Sequence, residues 1–206
     1  MKPVAIKILP KVGMPRSELD LQLNEVEVLK VCSNHANIVH LLDVYENNDM
    51  IYIVQEYISG PNLMKYFSRR PRSELSVKRV MHELFLGLQH LHKLGIGHRD
   101  IKLDNIMMTS DEDDASPKFI DFGLSKVFYK GETSDDRFGT LAFCSPEIIL
   151  GKQHTIVTDI WSIGILMHFL LVAEIPFLSR DKNQTKKNIV WQKLNFQSPH
   201  WQKISI

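Results

Sequence analysis

His98-Arg99-Asp100-Ile101-Lys102-Leu103-Asp104-Asn105 comes immediately after a helix stop at Gly95, and Asp121-Phe122-Gly123 follows 16 residues beyond Asn105. Either string alone is a weak signal in a chain this long. Their order and spacing carry the reading. Upstream, Val77, Val80, Met81, Leu84, Phe85, Leu88 and Leu91 recur at i, i+3, i+4 and i+7, which predicts a long amphipathic helix ending near Gly95. Gly60-Pro61-Asn62 breaks the chain before it. Downstream, Ile160 to Ala173 is uncharged between Asp159 and Glu174, and includes Ser162, Gly164 and His168. That run is too short for a bilayer span, which needs about 20 residues, so it predicts a helix apolar all round at the centre of the fold.

The N-terminal third reads differently. Val4 to Leu9 alternates, with Val4, Ile6 and Ile8 on one face and Ala5, Lys7 and Leu9 on the other, which is the period of a strand. Ser17-x-x-Asp20 reads as a capping box opening a helix through about Cys32, with Leu19, Leu23, Val26 and Leu29 at helical spacing and Glu25 on the same helix. Ile38–Tyr45 and Met50–Gln55, separated by Glu46-Asn47-Asn48-Asp49, predict a strand pair. Asp111-Glu112-Asp113-Asp114 reads as a solvated loop tip and is assigned no chemistry. A small strand-rich part to about residue 58 is therefore expected before a helical part.

Composition excludes several classes. The 206 residues are 44% hydrophobic and 24% charged, an ordinary globular mixture rather than a disordered or collagenous one. Lys plus Arg (25) against Asp plus Glu (24) gives +1, so no bulk charge calls for a nucleic acid or an anionic membrane. Cys32 and Cys144 are far apart and in no metal-ligand spacing, and the N-terminal run Met1 to Ile8 is interrupted by Lys7. These features favour a reducing, cytoplasmic or nuclear setting without a secretory leader.

The motifs His98–Asn105 and Asp121-Phe122-Gly123 are similar to the catalytic-loop and metal-loop pair of eukaryotic protein kinases. Val4-Ala5-Ile6-Lys7 resembles the strand whose lysine holds the α/β-phosphates, and Glu25 its helix partner, with Glu27 close by on that helix. Ser145-Pro146-Glu147 resembles the close of the activation segment, and Asp159-x-Trp161-Ser162-x-Gly164 the start of the buried central helix. Lys102 and Thr140 look like the serine/threonine branch. Glu25-Val26-Glu27-Val28-Leu29, Asp121-Phe122-Gly123-Leu124-Ser125-Lys126 and Ser198-Pro199-His200-Trp201 are similar to the calcium-dependent and calmodulin-dependent kinases.

The resemblance implies a two-lobed α+β fold, with 1–58 as a small lobe and 59–206 as a large lobe. It implies transfer of the γ-phosphoryl of Mg·ATP to Ser/Thr hydroxyls of protein substrates. Asp100 would orient the substrate hydroxyl and accept its proton, and Lys102 would stabilise the transferring phosphoryl. Asp121 and Asn105 would hold Mg²⁺, because hard oxygen ligands suit a small hard cation. Lys7, kept cationic by Glu25, would hold the phosphate tail of ATP. Gln55, Glu56 and Ile58 would be gatekeeper and hinge, with Ala5 and Met107 against the adenine. His98 and Phe122 would stack with Leu29, Leu41 and Asp159 between the lobes, so His98 is read as structural rather than as a base. Arg99 would pair with an activation-loop phosphate, with Thr133 and Ser134 as candidate hydroxyls, or Asp135 and Asp136 would supply the charge instead. Cys144 is read as an inert apolar residue with a redox role left open.

The chain departs from the family pattern in four places. No glycine loop precedes Lys7, so the first two strands of a small lobe are expected to be missing and the Lys7 strand to be an edge. The chain stops where the last large-lobe helices would begin, and the arginine that pairs with Glu147 is absent with them. Asn62 stands where a basophilic kinase often has glutamate, and Leu103-Asp104 replaces Pro-Glu, which weakens a preference for arginine upstream of the target. No calcium-binding loop occurs in these residues, so calcium or calmodulin input would not be encoded here. The rival expectation is a kinase-shaped piece that binds partners without turnover.

Overall fold

The computed structural model describes residues 3–13, 15–69, 73–197, 199 and 201–205. Met1 and Lys2 of the N-terminal run, and Ser198 and His200 of the closing Ser-Pro-His-Trp, lie outside the described residues.

β1 (Val4–Pro10), β2 (Leu41–Glu46) and β3 (Met50–Glu56) form an antiparallel sheet in the order β1-β3-β2, with Ala5 opposite Gln55 and Lys7 opposite Ile53. β1 alternates as expected. Its apolar set Val4, Ile6 and Ile8 is 44–57% exposed, whereas Leu9 is buried and Ala5 and Lys7 turn inward with it. The second strand begins at Leu41 rather than Ile38. Ile38 instead bridges Phe119 in parallel register, and Val39 N–H donates to Phe119 O, tying this segment to the helical part.

α1 (Arg16–Cys32) starts one residue before the expected capping box, with Pro15 as N-cap and no side-chain cap. Proline already holds a φ suited to leading a helix and has no N–H to satisfy, so Ser17 falls inside the first turn. Val26, Leu29 and Cys32 bury one face of α1, while Leu23 remains 41% exposed.

α2 (Leu63–Ser68) is capped by Asn62, whose side chain accepts from Lys65 N–H. α3 (Glu74–Lys93) is capped by Ser73 and buries Val77, Val80, Met81, Leu84, Leu88 and Leu91. Phe85, read as part of that face, is 42% exposed. Gly95 turns the chain at φ +73°, where a Cβ would also meet Phe128 O at 2.7 Å.

β4 (Ile96–Gly97) pairs with β7 (Lys126–Val127), and β5 (Ile106–Met108) with β6 (Pro117–Phe119). The first motif is the loop from β4 to β5, and the second the loop from β6 to β7. Two short ribbons thus fix both chemical loops on one side of α3.

After α4 (Pro146–Ile149), α5 (Thr158–Val172) runs through the interior, and α6 (Lys182–Trp191) lies beyond it. α5 is not buried all round: Ile160 is 49% and Met167 37% exposed. With Gly164, Phe177 and Trp201 they line a groove of about 470 Å³. The buried apolar side chains otherwise form one continuous cluster from Leu9 to Ile189, which places sheet, α1, α3 and α5 on a shared core. No helix among the described residues is long and apolar enough to cross a membrane.

Candidate functional site

A cavity of about 400 Å³ lies between the sheet and the two chemical loops. Ala5, Lys7, Glu25, Gln55, Glu56, Ile58, Met107 and Asp121 all line it, as expected from the sequence, and Val39, Tyr57 and Ile120 complete it. Tyr57 belongs to the stretch read as gatekeeper and hinge, whereas Val39 and Ile120 were missed; Ile120 is signalled only by its place before Asp121. A larger hollow of about 850 Å³ beside α2 and α3 contains none of the chemical residues.

Lys7 Nζ lies 2.7 Å from Glu25 Oε2 and 3.3 Å from Asp121 Oδ1. Glu25 is 1% exposed and its Oε1 has no hydrogen-bond partner among the described residues, whereas Glu27 faces solvent and pairs with Lys30. The choice between the two carboxylates is thereby decided in favour of Glu25. Burial works to lower the Lys7 pKa, but the Glu25 charge and hydrogen bond, joined by Asp121, raise it above its ordinary value. Burial likewise pushes Asp121 up, and the Lys7 ammonium outweighs it, so the Asp121 carboxyl is held below its ordinary value. Both groups are ionised at neutral pH.

Asp100 receives four donors. Its Oδ1 accepts from Thr140 N–H (3.0 Å) and Thr140 Oγ1 (2.9 Å), and its Oδ2 from Lys102 Nζ (2.6 Å) and Asn105 Nδ2 (2.9 Å). Lys102 Nζ also donates to Thr140 Oγ1 at 3.1 Å. Thr140, read from sequence as a branch marker, is thus a structural member of the site. Asn105 uses its Nδ2 on Asp100, and its Oδ1 accepts no hydrogen bond among the described residues.

Arg99 (φ +65°) and Asp121 (φ +60°) are two of the three non-glycine residues with positive φ among the described residues, one on each chemical loop. Such backbone strain persists only where surrounding contacts hold it. At Arg99 and His98 those contacts are the Asp159 carboxylate, which accepts from His98 N–H (2.8 Å) and Arg99 N–H (2.9 Å) from the buried start of α5. His92 Nε2, 3.1 Å from the same carboxylate, was not singled out from sequence. His98 is fully buried, its ring 4.9 Å from that of Phe122, which fits packing and not proton transfer. Leu29 is fully buried and Leu41 packs on the same core.

The partner of Arg99 is Asp136, 2.8 Å away. Of the candidate hydroxyls, Thr133 bonds Gln153, and Ser134 donates to Asp136 Oδ2 at 2.6 Å. Asp135 makes no such contact, so of the two acidic residues only Asp136 takes the position. Lys126 pairs with Glu132 at 3.2 Å. Cys144 is buried with its Sγ near Phe138 O and Thr140 O, and burial, with the Asp100 charge, pushes its thiol up to about 11. Asn62 donates to Asp104 Oδ1 at 3.1 Å while it caps α2, so both ends of its amide are engaged.

The donor set fits a metal-bridged nucleotide. Glu25, Lys7 and Asp121 sum to one net negative charge at the cavity wall, which suits a divalent cation better than a bare phosphate. Among the described residues no group of three or more His, Cys, Asp or Glu could hold a metal alone. Mg²⁺ does not need one, because it is commonly held by one or two protein oxygens plus phosphates and water. Asp121 Oδ2 and Asn105 Oδ1 are oxygens of that kind.

Comparison with known proteins agrees with this geometry. The protein kinase domain family matches residues 1–206. CDPK-related kinase 5 of Arabidopsis thaliana is 33% identical over 205 residues, covering 98% of this chain and 34% of the relative. "Probable myosin light chain kinase" of Dictyostelium discoideum is 29% identical over 203 residues, covering 98% and 58%. Calcium-dependent protein kinase 4 of Plasmodium berghei is 32% identical over 204 residues, covering 98% and 38%. The chain spans between about a third and three-fifths of the length of these relatives.

Proposed function

This chain belongs to the protein kinase domain family, and from that premise we propose that it transfers the γ-phosphoryl of Mg·ATP to serine and threonine hydroxyls of proteins. The observation that carries the reading is Asp100, a carboxylate held by four donors, a lysine among them, on a loop whose Asn105 accepts through its main-chain oxygen from Ile120 N–H, next to Asp121 in the wall of the cavity that Lys7 also lines. Mg·ATP, when bound, would supply the phosphoryl group and the cationic charge that neutralises it.

In this reading the protein contributes position and charge, with little covalent work of its own. Asp121 and Asn105 would hold the metal, and Lys7 would meet the phosphate tail with its charge fixed by Glu25. Main-chain groups of Glu56 and Ile58 bind the adenine, with Ala5 and Met107 against its faces and Gln55 at the back. Asp100 orients the acceptor hydroxyl and takes its proton. Lys102, 2.6 Å from that carboxylate, follows the charge onto the transferring group. Residues 1–58 act as the small lobe and 59–206 as the large one.

The substrate is read as a protein segment with limited demand for basic residues. Asn62 is neutral and engaged with Asp104, leaving one partly satisfied carboxylate where two would grip an arginine firmly. Relatives named as calcium-dependent kinases make a calcium input part of the same reading. That sensor would be supplied from outside the described residues.

Two measurements test the proposal. A thermal unfolding scan should show a midpoint raised by Mg·ATP and not by ATP with the metal chelated. Labelled phosphate from ATP should then enter a serine/threonine protein mixture. An unmoved midpoint would overturn the nucleotide site, and a moved midpoint without incorporation would leave a binding module in place of an enzyme.

A further inference from the structure

The loop from Ser33 to His40, which joins α1 to β2, is fastened to α3 by two imidazoles. The rings of His35 and His90 stack at 4.7 Å with 23° between their planes. Each ring also holds main chain. His90 Nε2 lies 3.1 Å from Cys32 O, the last residue of α1, and a carbonyl only accepts, so Nε2 carries the proton. His35 Nδ1 accepts from Asn37 N–H at 3.1 Å, so in this arrangement Nδ1 carries none. A second proton on His35 has nowhere to go but Nδ1. It would convert an acceptor into a donor facing an N–H, and set a cation against the His90 ring.

The groups around His35 compound that cost. Lys118, on β6, lies near enough to oppose a positive His35. Its charge is partly met by Glu56 at 2.6 Å, from the end of β3. On α3, Glu83 is engaged by Asn37 Nδ2 at 3.0 Å and lies 3.9 Å from Arg79, so its charge is already shared. Cys32, on α1, is a buried thiol pushed up to about 12 and brings no negative charge. Burial, then His90, then Lys118 lower the His35 pKa from its ordinary value.

We propose that the His35–His90 stack is a proton-sensitive latch that positions α1, and through it Glu25, so that protonation of His35 loosens the Glu25–Lys7 pair. The path is short and covalent at one end. Glu25 and Cys32 lie two turns apart on the same helix, and Cys32 O is the point that His90 grips. His35 and His90 are positioning residues here and touch no reacting atom. The step from α1 to nucleotide binding rests on the kinase reading above; the latch itself does not.

The test compares the whole chain with His35→Asn, whose side-chain oxygen can still accept from Asn37 N–H but does not titrate, and with His90→Gln, which keeps a donor for Cys32 O. Unfolding midpoints are taken at pH 7.5 and 5.5, each with and without Mg·ADP, and the His35 ring is followed by NMR. Because the folded state disfavours the proton, stability from His35 is present above the unfolded value near 6.5 and is lost as pH falls through the folded value. The natural chain should therefore lose about 3 °C more than His35→Asn between the two pH values, the scale of one linked proton in a chain this long. The Mg·ADP shift should shrink at pH 5.5 in the natural chain and persist in His35→Asn.

Equal pH losses in the natural chain and both variants would overturn the latch. A latch that reads in stability while the Mg·ADP shift is equal in all three proteins would overturn its link to Glu25. Absence of any Mg·ADP shift at pH 7.5 would instead sink the kinase reading. The stability and NMR arms would then still decide the latch.

Discussion

The Arg99 guanidinium, 4% exposed, donates to Asp136 Oδ2 at 2.8 Å and to Leu124 O at 2.6 Å, with its Cζ 4.9 Å over the Phe138 ring. One side chain thus joins the loop carrying Asp100, the stretch just after Asp121-Phe122-Gly123, and the segment from 134 to 138. A buried cation without its carboxylate is costly, so this pair ties the segment to both chemical loops.

Asp136→Asn should therefore destabilise the chain. Discounted for the carboxylate's 39% exposure, the loss is about 1–2 kcal/mol, or about 3–6 °C in midpoint. The Ser134 hydrogen bond and then Arg99 hold the Asp136 carboxyl below its ordinary 3.8. The stabilisation is full above that value and lost as pH falls through the lower folded one. Midpoint scans should show a constant gap from pH 7 to 5 that closes in stronger acid. A gap that is absent at pH 7 would contradict the role given to Asp136.

Asp100→Asn should abolish phosphate incorporation by about 10²–10⁴-fold, the range for removing a positioned acid–base group. The Mg·ATP midpoint shift should survive, because Lys7 and Asp121 are untouched. Unchanged incorporation would remove Asp100 from the chemistry.

Both cysteines should be silent in the native protein. Burial pushes Cys32 up to about 12 and Cys144 up to about 11, so thiolate is scarce at pH 7.5. A thiol reagent should label neither until denaturant is added, and then both. Native labelling at Cys144 would restore a redox role for the residue before Ser145.

Gly60→Ala should cost stability where a surface glycine would not. A Cβ there would overlap Met108 O and lie 2.6 Å from Ser110 O, so the hinge-side backbone would have to move off β5. Overpacking of this kind costs about 1–3 kcal/mol, and a midpoint loss near 5 °C is expected. A neutral result would mean that the hinge can shift freely against β5.

Much of the site was legible in the sequence because the chemistry restricts residue type and order together. Lys7, Glu25, Asp100, Asn105 and Asp121 could be named from spacing and family likeness; Lys7, Glu25 and Asp121 line one cavity, and Asn105 bonds both Asp100 and the main chain of Ile120 next to Asp121. Local signals misled where neighbours in space competed with neighbours in sequence. Ser17-x-x-Asp20 had the capping pattern, but Pro15 set the start of α1 first. The uncharged run from Ile160 looked wholly buried, yet Ile160 and Met167 line an open groove and stay 49% and 37% exposed.

What the sequence determined by itself was the periodic and the chemical: an alternating strand, long amphipathic and apolar helices, and two loops of fixed composition. Those depend on patterns a few residues long, and such patterns are written along the chain. Tertiary structure alone decided which of four activation-segment residues meets Arg99, that Thr140 bonds Asp100, and that His35 lies on His90. Each of those choices turns on 1–2 Å of placement between segments far apart in sequence, and ion pairs and ring stacks are decided at that distance.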